Sequence, residues 1–447
     1  MSPNHDLTRG SVAGTLLRFA APFLLANVLQ SLYGAVDLFV IGKYCGADSV
    51  AAVSTGTQVT QIVTSLMTGL TLGSTILVGR YTGMREPERV RQVIGTSFLL
   101  FGLFAVVITA LMLGFERPLL RLLQTPAASF EKTMTYVAIC AAGNLFVCGY
   151  NAISAILRGC GDSVRPMLFV FIACVLNVIL DYVLVAAAGL DVAGTALATI
   201  LSQGVSMALA VLWLRRQDFL FDFRPKSFRW HPASAKQLMR LGIPLSFQEL
   251  MVRISFLYLM VVMNRLSVYA AAVIGVSSKY DVFAMLSATS VASALSALTA
   301  QNLGAGKPER ARKALWYGLA FALGVSLCFW LWAQLSPQSM ISVFTNDPDI
   351  IRAGVPFFRS CSYDYFLVSI VFCLNGYLNG REKTLFTMIS CSAGALCLRI
   401  PMVWYFSSRF PDQTGMLGMI APTVSGIMAL YTLVYVLAEP RLTRRGR

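Results

Sequence analysis

Apolar residues run along this chain in long blocks separated by short polar breaks, not in the narrow stripes of water-soluble helices or the alternation of strands. A helix needs about 20 mainly apolar residues to cross the hydrocarbon core of a bilayer. Twelve stretches meet that requirement: 15–40, 50–79, 93–114, 131–156, 166–188, 192–214, 239–263, 269–300, 314–335, 355–378, 384–408 and 415–437. Lipid gives an exposed backbone nothing to bond to, so such blocks must be helices. The predicted fold is an all-α integral membrane protein of twelve transmembrane helices. Spans 2 and 8 are the least apolar. Ten Ser/Thr lie between Ser54 and Thr75, and eight between Ser277 and Thr299. Small hydroxyl side chains bond the preceding turn and let helices approach closely, so these two spans are expected inside a bundle.

The chain also repeats itself. Gly83-Met84-Arg85-Glu86-Pro87-Glu88-Arg89 after span 2 corresponds to Gly304-Ala305-Gly306-Lys307-Pro308-Glu309-Arg310 after span 8, at an offset of 221. Ile156-Leu157-Arg158-Gly159 corresponds to Tyr377-Leu378-Asn379-Gly380 at the same offset. Arg18 and Pro22 correspond to Arg240 and Pro244 at 222, and Gly194, Ala198 and Thr199 to Gly418, Ala421 and Thr423 at about 224. Six spans per half is an even number, so both halves run in the same sense: two six-helix lobes related by a parallel pseudo-two-fold repeat. The expected division is an N-terminal lobe over 1–214, an inter-lobe linker over 215–238 and a C-terminal lobe over 239–447. A binding site is expected between such lobes.

Charge adds orientation. The net charge of +15 would suit a nucleic-acid partner, but its placement argues against one. Of the Lys and Arg in the loops and at the span ends, 25 fall on the side that holds both termini and the Arg215–Lys236 loop, and seven on the other. That bias places both termini in the cytoplasm and the chain in the inner (plasma) membrane, embedded in lipid and bound to no nucleic acid. The polar start from Met1 to Arg18 runs into span 1 with no small-residue cleavage site, which argues against a removed signal peptide. Ten cysteines fall mostly within apolar runs with no CxxC pair, and the only histidines are His5 and His231, so a Cys/His metal site is not expected.

Charge within a span costs about 2.5–3.5 kcal/mol at mid-helix. Two acids of the first half stand in that position, Asp37 in span 1 and Asp181 in span 5. Asn27, Gln30, Gly34 and Asp37 recur every three or four residues and form one polar stripe. Asn177 precedes Asp181 by one turn; span 4 adds Tyr136 and Asn151, and span 6 adds Thr199. An apolar bundle disfavours the charged form of a carboxylic acid, which lets such an acid take up and release a proton. The same oxygens could instead ligate Na⁺. The alternative is a pair of protonated structural acids. In the second half, Glu249 and Arg253 are spaced to neutralise each other within span 7. Lys279, Asp281, Arg359, Asp364 and Arg399 also lie within spans and are expected to compensate one another's charge.

These residues resemble the multidrug and toxic compound extrusion (MATE) family over nearly the whole chain. The pattern Pro22, Gln30, Asp37, Gly42 and Ala51-Ala52-Val53 is similar to the family's opening. Leu157-Arg158-Gly159-Cys160-Gly161-Asp162-Ser163-Val164-Arg165-Pro166 and Gln301-Asn302-Leu303-Gly304-Ala305-Gly306-Lys307-Pro308-Glu309-Arg310-Ala311 carry the resemblance further. It implies two lobes around a V-shaped cavity and alternating access driven by H⁺ or Na⁺, with organic cations, drugs or amphipathic metabolites exported. It implies a coupling site at Asp37, Tyr136, Asn151, Asn177, Asp181 and Thr199, and a substrate cavity touched by Asn27, Gln30, Tyr33, Gln203 and Glu249. Residues 366–378 contain no acid, which points toward the branch of damage-inducible and small bacterial multidrug exporters. The expected protein is a monomer with no cofactor beyond its coupling ion, and not an enzyme. The lack of a Gly-rich Walker loop argues against ATP drive. The nearest other reading is a lipid-linked precursor flippase of the same superfamily, which needs a cationic cavity; Arg253, Lys279 and Arg399 would have to supply it. A membrane enzyme lacks a suitable cluster of His, Asp or Ser, and paired acids within a repeat suit a carrier better than a channel.

Overall fold

The computed structural model describes residues 6–123, 125–217, 219–266, 268–411 and 413–445; His5 and Arg447 lie outside them. Among the described residues the chain is helical and has no strand. The spans are α1 (Val12–Tyr44), α2 (Ala47–Met84), α3 (Pro87–Leu122), α4 (Ala127–Ala142 continued by Asn144–Gly159), α5 (Val164–Ala187) and α6 (Asp191–Arg216). After the linker come α7 (Pro232–Leu266), α8 (Val268–Gly304), α9 (Pro308–Leu335), α10 (Pro348–Gly380), α11 (Thr384–Arg409) and α12 (Thr414–Ala438). Each of the twelve expected spans lies in one of these helices. α4 is bent by 48° between its two parts. At the bend sits Gly143, where a side chain would run into Ile200 of α6.

The helices cluster into two compact units. Unit 1 holds residues 1–7 and 21–246, and unit 2 holds 8–20 and 247–447. The divisions fall inside α1 and α7, close to Pro22 and Pro244, where each helix lacks one backbone hydrogen-bond donor. The 215–238 segment belongs to unit 1 and is folded onto it. Phe221, Phe223 and Phe228 gather around Phe98 of α3 with ring centroids 5.6–6.1 Å from it. Arg91 Nε donates to Leu220 O at 2.8 Å. The Ser227 hydroxyl and the Arg224 N–H bond the Asp222 carboxylate and hold it below the usual carboxylate range.

The hydroxyl-rich spans are the buried ones. In their most apolar stretches, 67% of α2 and 61% of α8 is buried, against 17% of α3 and 11% of α7. Their hydroxyls tie the helices together in the same way in each unit. Thr75 donates to Ala155 O on α4 at 3.1 Å, and Ser296, its counterpart in the second half, donates to Gly376 O on α10 at 3.0 Å. The turns repeat as well. Arg85 ends α2 in the left-handed region at φ 58°, where the second copy has Gly306 at φ 70°. Gly161 at φ 91° has Glu382 at φ 62° as its counterpart. A left-handed conformation costs a non-glycine residue about 1 kcal/mol, so the turn geometry persists in both copies even where the sequence works against it. In unit 2 the basic residues of the α8–α9 turn hold the start of the chain in place. Lys307 Nζ donates to Thr8 O at 3.0 Å and Arg310 Nη1 to Gly10 O at 2.7 Å.

Candidate functional site

In unit 1, α1 brings Asp37 into the bundle interior, 6% exposed, and α5 brings Asn177 and Asp181, both fully buried. The carboxyl of Asp37 faces Asp181, Asn177 and Thr199 of α6. Tyr33, one turn before Asp37, lies against Asp37 and Thr199. Tyr136 of α4 closes the group from another side, its hydroxyl 3.4 Å from Thr57 Oγ1 of α2. Asp37, Tyr136, Asn177, Asp181 and Thr199 thus converge from four helices, and Tyr33 joins them. Asn151 is bonded to its own helix, its Nδ2 donating to Val147 O at 2.8 Å. Asn27 and Gln203 are half-buried and Gln30 is exposed, all in unit 1; Glu249 belongs to unit 2.

The polar atoms of this group are poorly satisfied. Both oxygens of Asp181, both amide atoms of Asn177 and one oxygen of Asp37 are buried without a hydrogen-bond partner of normal geometry. An unpaired buried polar group costs about 1–3 kcal/mol, so five such atoms in one place are not a structural optimum. The wall around them is apolar: Val40, Ile41, Val53, Val137, Ala141, Val185 and Ala196 pack in the same core. Directly after Asp181 the helix widens into a π turn over Tyr182–Ala187, a distortion frequent at functional sites. This arrangement can share a small cation between two carboxyl groups.

Unit 2 holds a second polar group that reading by span did not assemble. Asp281 of α8, Asp364 of α10 and Arg399 of α11 act on one another electrostatically. Of the five residues expected to compensate one another's charge, Asp281, Asp364 and Arg399 do so. Lys279 is exposed, and Asp281 faces Asp364, Arg399 and Ser277. Arg253 is exposed and acts on Glu249 through its charge. The signal that was available is the repeat itself: at an offset of 222, Arg399 occupies the position of Asn177.

The comparisons agree with this duplicated architecture. The MatE family model matches the chain twice, over 22–183 and 244–405, so the two matched copies keep the spacing that sets Pro22 against Pro244. YpnP of Bacillus subtilis, a probable multidrug resistance protein, is 26% identical over 411 residues, 90% of each chain. A FAD transporter of Shewanella oneidensis is 23% identical over 449 residues, 98% of each chain. Among solved structures, a crystal structure of MATE in the bent conformation has a TM-score of 0.92 at 22% identity, covering 99% of this chain and 100% of that one. A MOP superfamily transporter from Pyrococcus furiosus, described as having a binding pocket of reverse polarity, has a TM-score of 0.90 at 22% identity over 98% and 99% of the two chains. With both of its halves matched and its twelve-helix fold shared with solved family members, this chain belongs to the MatE family of membrane transporters.

Proposed function

We propose that this protein is a cation-coupled antiporter that exports organic cations, drugs or amphipathic metabolites by alternating access. The observation that carries the reading is the buried group of Asp37, Asp181 and Asn177, with its unpartnered oxygens in an apolar bundle. Two carboxylates side by side in low dielectric repel each other unless a proton or a metal cation sits between them. Tyr33, Tyr136 and Thr199 line the group with oxygens suited to H⁺ relay or to Na⁺. Asn151 is bonded within its own helix. A cation entering there binds the two states of the carrier unequally, and that difference is how a gradient biases the switch. The organic substrate leaves on the opposite stroke. Names of relatives such as YpnP and NorM support drug export. The test is gradient-driven transport by the purified protein in liposomes.

A lipid-linked precursor flippase would need basic groups where these acids stand. The buried Arg399 is the one observation on its side, and the acids around it weigh against a pyrophosphate there.

We further propose that the protein works as a monomer in the plasma membrane; the 25-to-seven distribution of Lys and Arg supports placing both termini in the cytoplasm. Single cysteines introduced into a cysteine-free background test the orientation. Ala233 and Asp349 are both exposed. In intact cells a membrane-impermeant maleimide is expected to label Asp349→Cys and to leave Ala233→Cys unlabelled until the membrane is opened. The reverse pattern would invert the topology.

A further inference from the structure

The second bundle repeats the architecture of the first without its charges. At the offset of 222, Asp37 falls on Leu259 and Asp181 on Val403, while Asn177 falls on Arg399 and Tyr33 on Ser255. Arg399 is only 8% exposed, and its Nη1 donates to Ser255 Oγ at 3.0 Å. Its guanidinium lies over the ring of Phe256, 4.2 Å from the centroid. The π turn of this helix, Gly394–Arg399, ends on it. The acids come from other helices. Asp281 is held by Ser277, and Asp364, 6% exposed, by Ser425. Both act on Arg399 electrostatically, yet among the described residues neither forms an ion pair with it. Asp364 Oδ1, Tyr365 Oη and Arg399 Nε are buried with no hydrogen-bond partner. Glu249, half-buried, acts on Cys391 through its charge, as Arg399 does.

A charge buried in a bundle is a large cost unless it is paired, and a neutral side chain such as the asparagine at the equivalent first-bundle position would fill the space at less cost. Here Ser255 and Phe256 hold the guanidinium beside the acids without closing on them. The group therefore keeps two carboxyl groups against one fixed cation, and one buried oxygen of Asp364 is left without a hydrogen-bond partner. We propose that Arg399 is a built-in counter-cation in a second polar site, formed with Asp281 and Asp364, which sets the charge of the guest this bundle accepts to a single positive charge on an organic monocation. The inference rests on the organic-cation reading given above. It assigns Arg399 a role in specificity: the residue offsets one of the two acids and weakens cation binding from the maximum that two free carboxylates would give.

The test uses the full-length protein purified in detergent and equilibrium binding of tetraphenylphosphonium, an organic monocation. Removing a nearby fixed positive charge is expected to tighten binding about tenfold in Arg399→Gln, and Arg399→Lys is expected to stay within about twofold of wild type. Asp364→Asn is expected to bind about tenfold more weakly, and the double variant Arg399→Gln with Asp364→Asn to return to within about threefold of wild type. Unchanged or weaker binding by Arg399→Gln overturns the inference. If that variant is not monodisperse, the Asp364→Asn and double variants decide, and wild-type binding by Asp364→Asn overturns it. A wild-type protein that binds no organic cation removes the export reading and this inference together. A wild type that binds, with variants that do not differ from it, removes this inference alone.

Discussion

Asp37→Asn and Asp181→Asn are each expected to lower gradient-driven export at least about a hundredfold while leaving a folded, monodisperse protein. Asparagine keeps the size and most of the hydrogen-bonding capacity of aspartic acid, but it cannot exchange a proton and carries no formal charge. At an effective dielectric constant of about 20, a cation about 4 Å from a carboxylate gains about 4 kcal/mol, close to a thousandfold in binding. Folding should be indifferent. Both oxygens of Asp181 and one oxygen of Asp37 lack a hydrogen-bond partner of normal geometry, so little bonding is lost on substitution by an isosteric amide. Asn177→Ala removes a neutral neighbour and is expected to shift the cation concentration at half-maximal rate more than the rate itself. Export at wild-type rates by both aspartate variants would free this site from coupling and pass the role to Asp281 and Asp364.

Gly376→Val is expected to give a large loss of stability away from any site. A Cβ at Gly376 would press on the carbonyl oxygen of Ala292 and lie 2.8 Å from its Cα. Both are backbone atoms of α8, so no side chain can turn aside. Ser296 Oγ also bonds Gly376 O at this crossing, and a forced separation of α8 and α10 breaks that bond. Overpacking costs about 1–3 kcal/mol where neighbours can adjust; against a rigid backbone the upper end, about 3 kcal/mol, is expected, read as a fall in the unfolding temperature in detergent. Gly275→Ala on α8 is the control. It has open space within 4 Å, and alanine in a helix is favoured over glycine by about 0.5–1 kcal/mol, so its melting temperature should hold or rise. Equal loss in both variants would refute the packing argument.

Much of this was legible in the sequence because membrane folding depends on few variables. Hydrophobic length set the helices, and the hydroxyl content of spans 2 and 8 identified the two most buried. The repeated turn after each of these spans located the symmetry that later appeared as matched bonds at Thr75 and Ser296. The first-bundle acids stood out because an aspartate amid valine and leucine is costly within a bilayer. Side-chain direction was harder to see. Asn151 shares a helix with Tyr136 but points its amide along its own axis, which spacing across a 48° bend does not reveal. Tyr33 looked like a cavity residue and lies against Asp37. In the second half, helical spacing suggested one charge pair, Glu249 with Arg253, and Arg253 does act on Glu249. For the other intramembrane charges only mutual compensation was legible; which of them meet, Asp281, Asp364 and Arg399 from three helices, is decided by tertiary packing.

Wild-type protein in liposomes with an imposed inward H⁺ or Na⁺ gradient tests the account most directly, with the movement of tetraphenylphosphonium against its own gradient as the readout. The account predicts uphill movement that depends on one of the two ions and stops when that gradient is collapsed by an ionophore. Movement that only ever follows the organic cation's own gradient, whatever ion gradient is imposed, would contradict it.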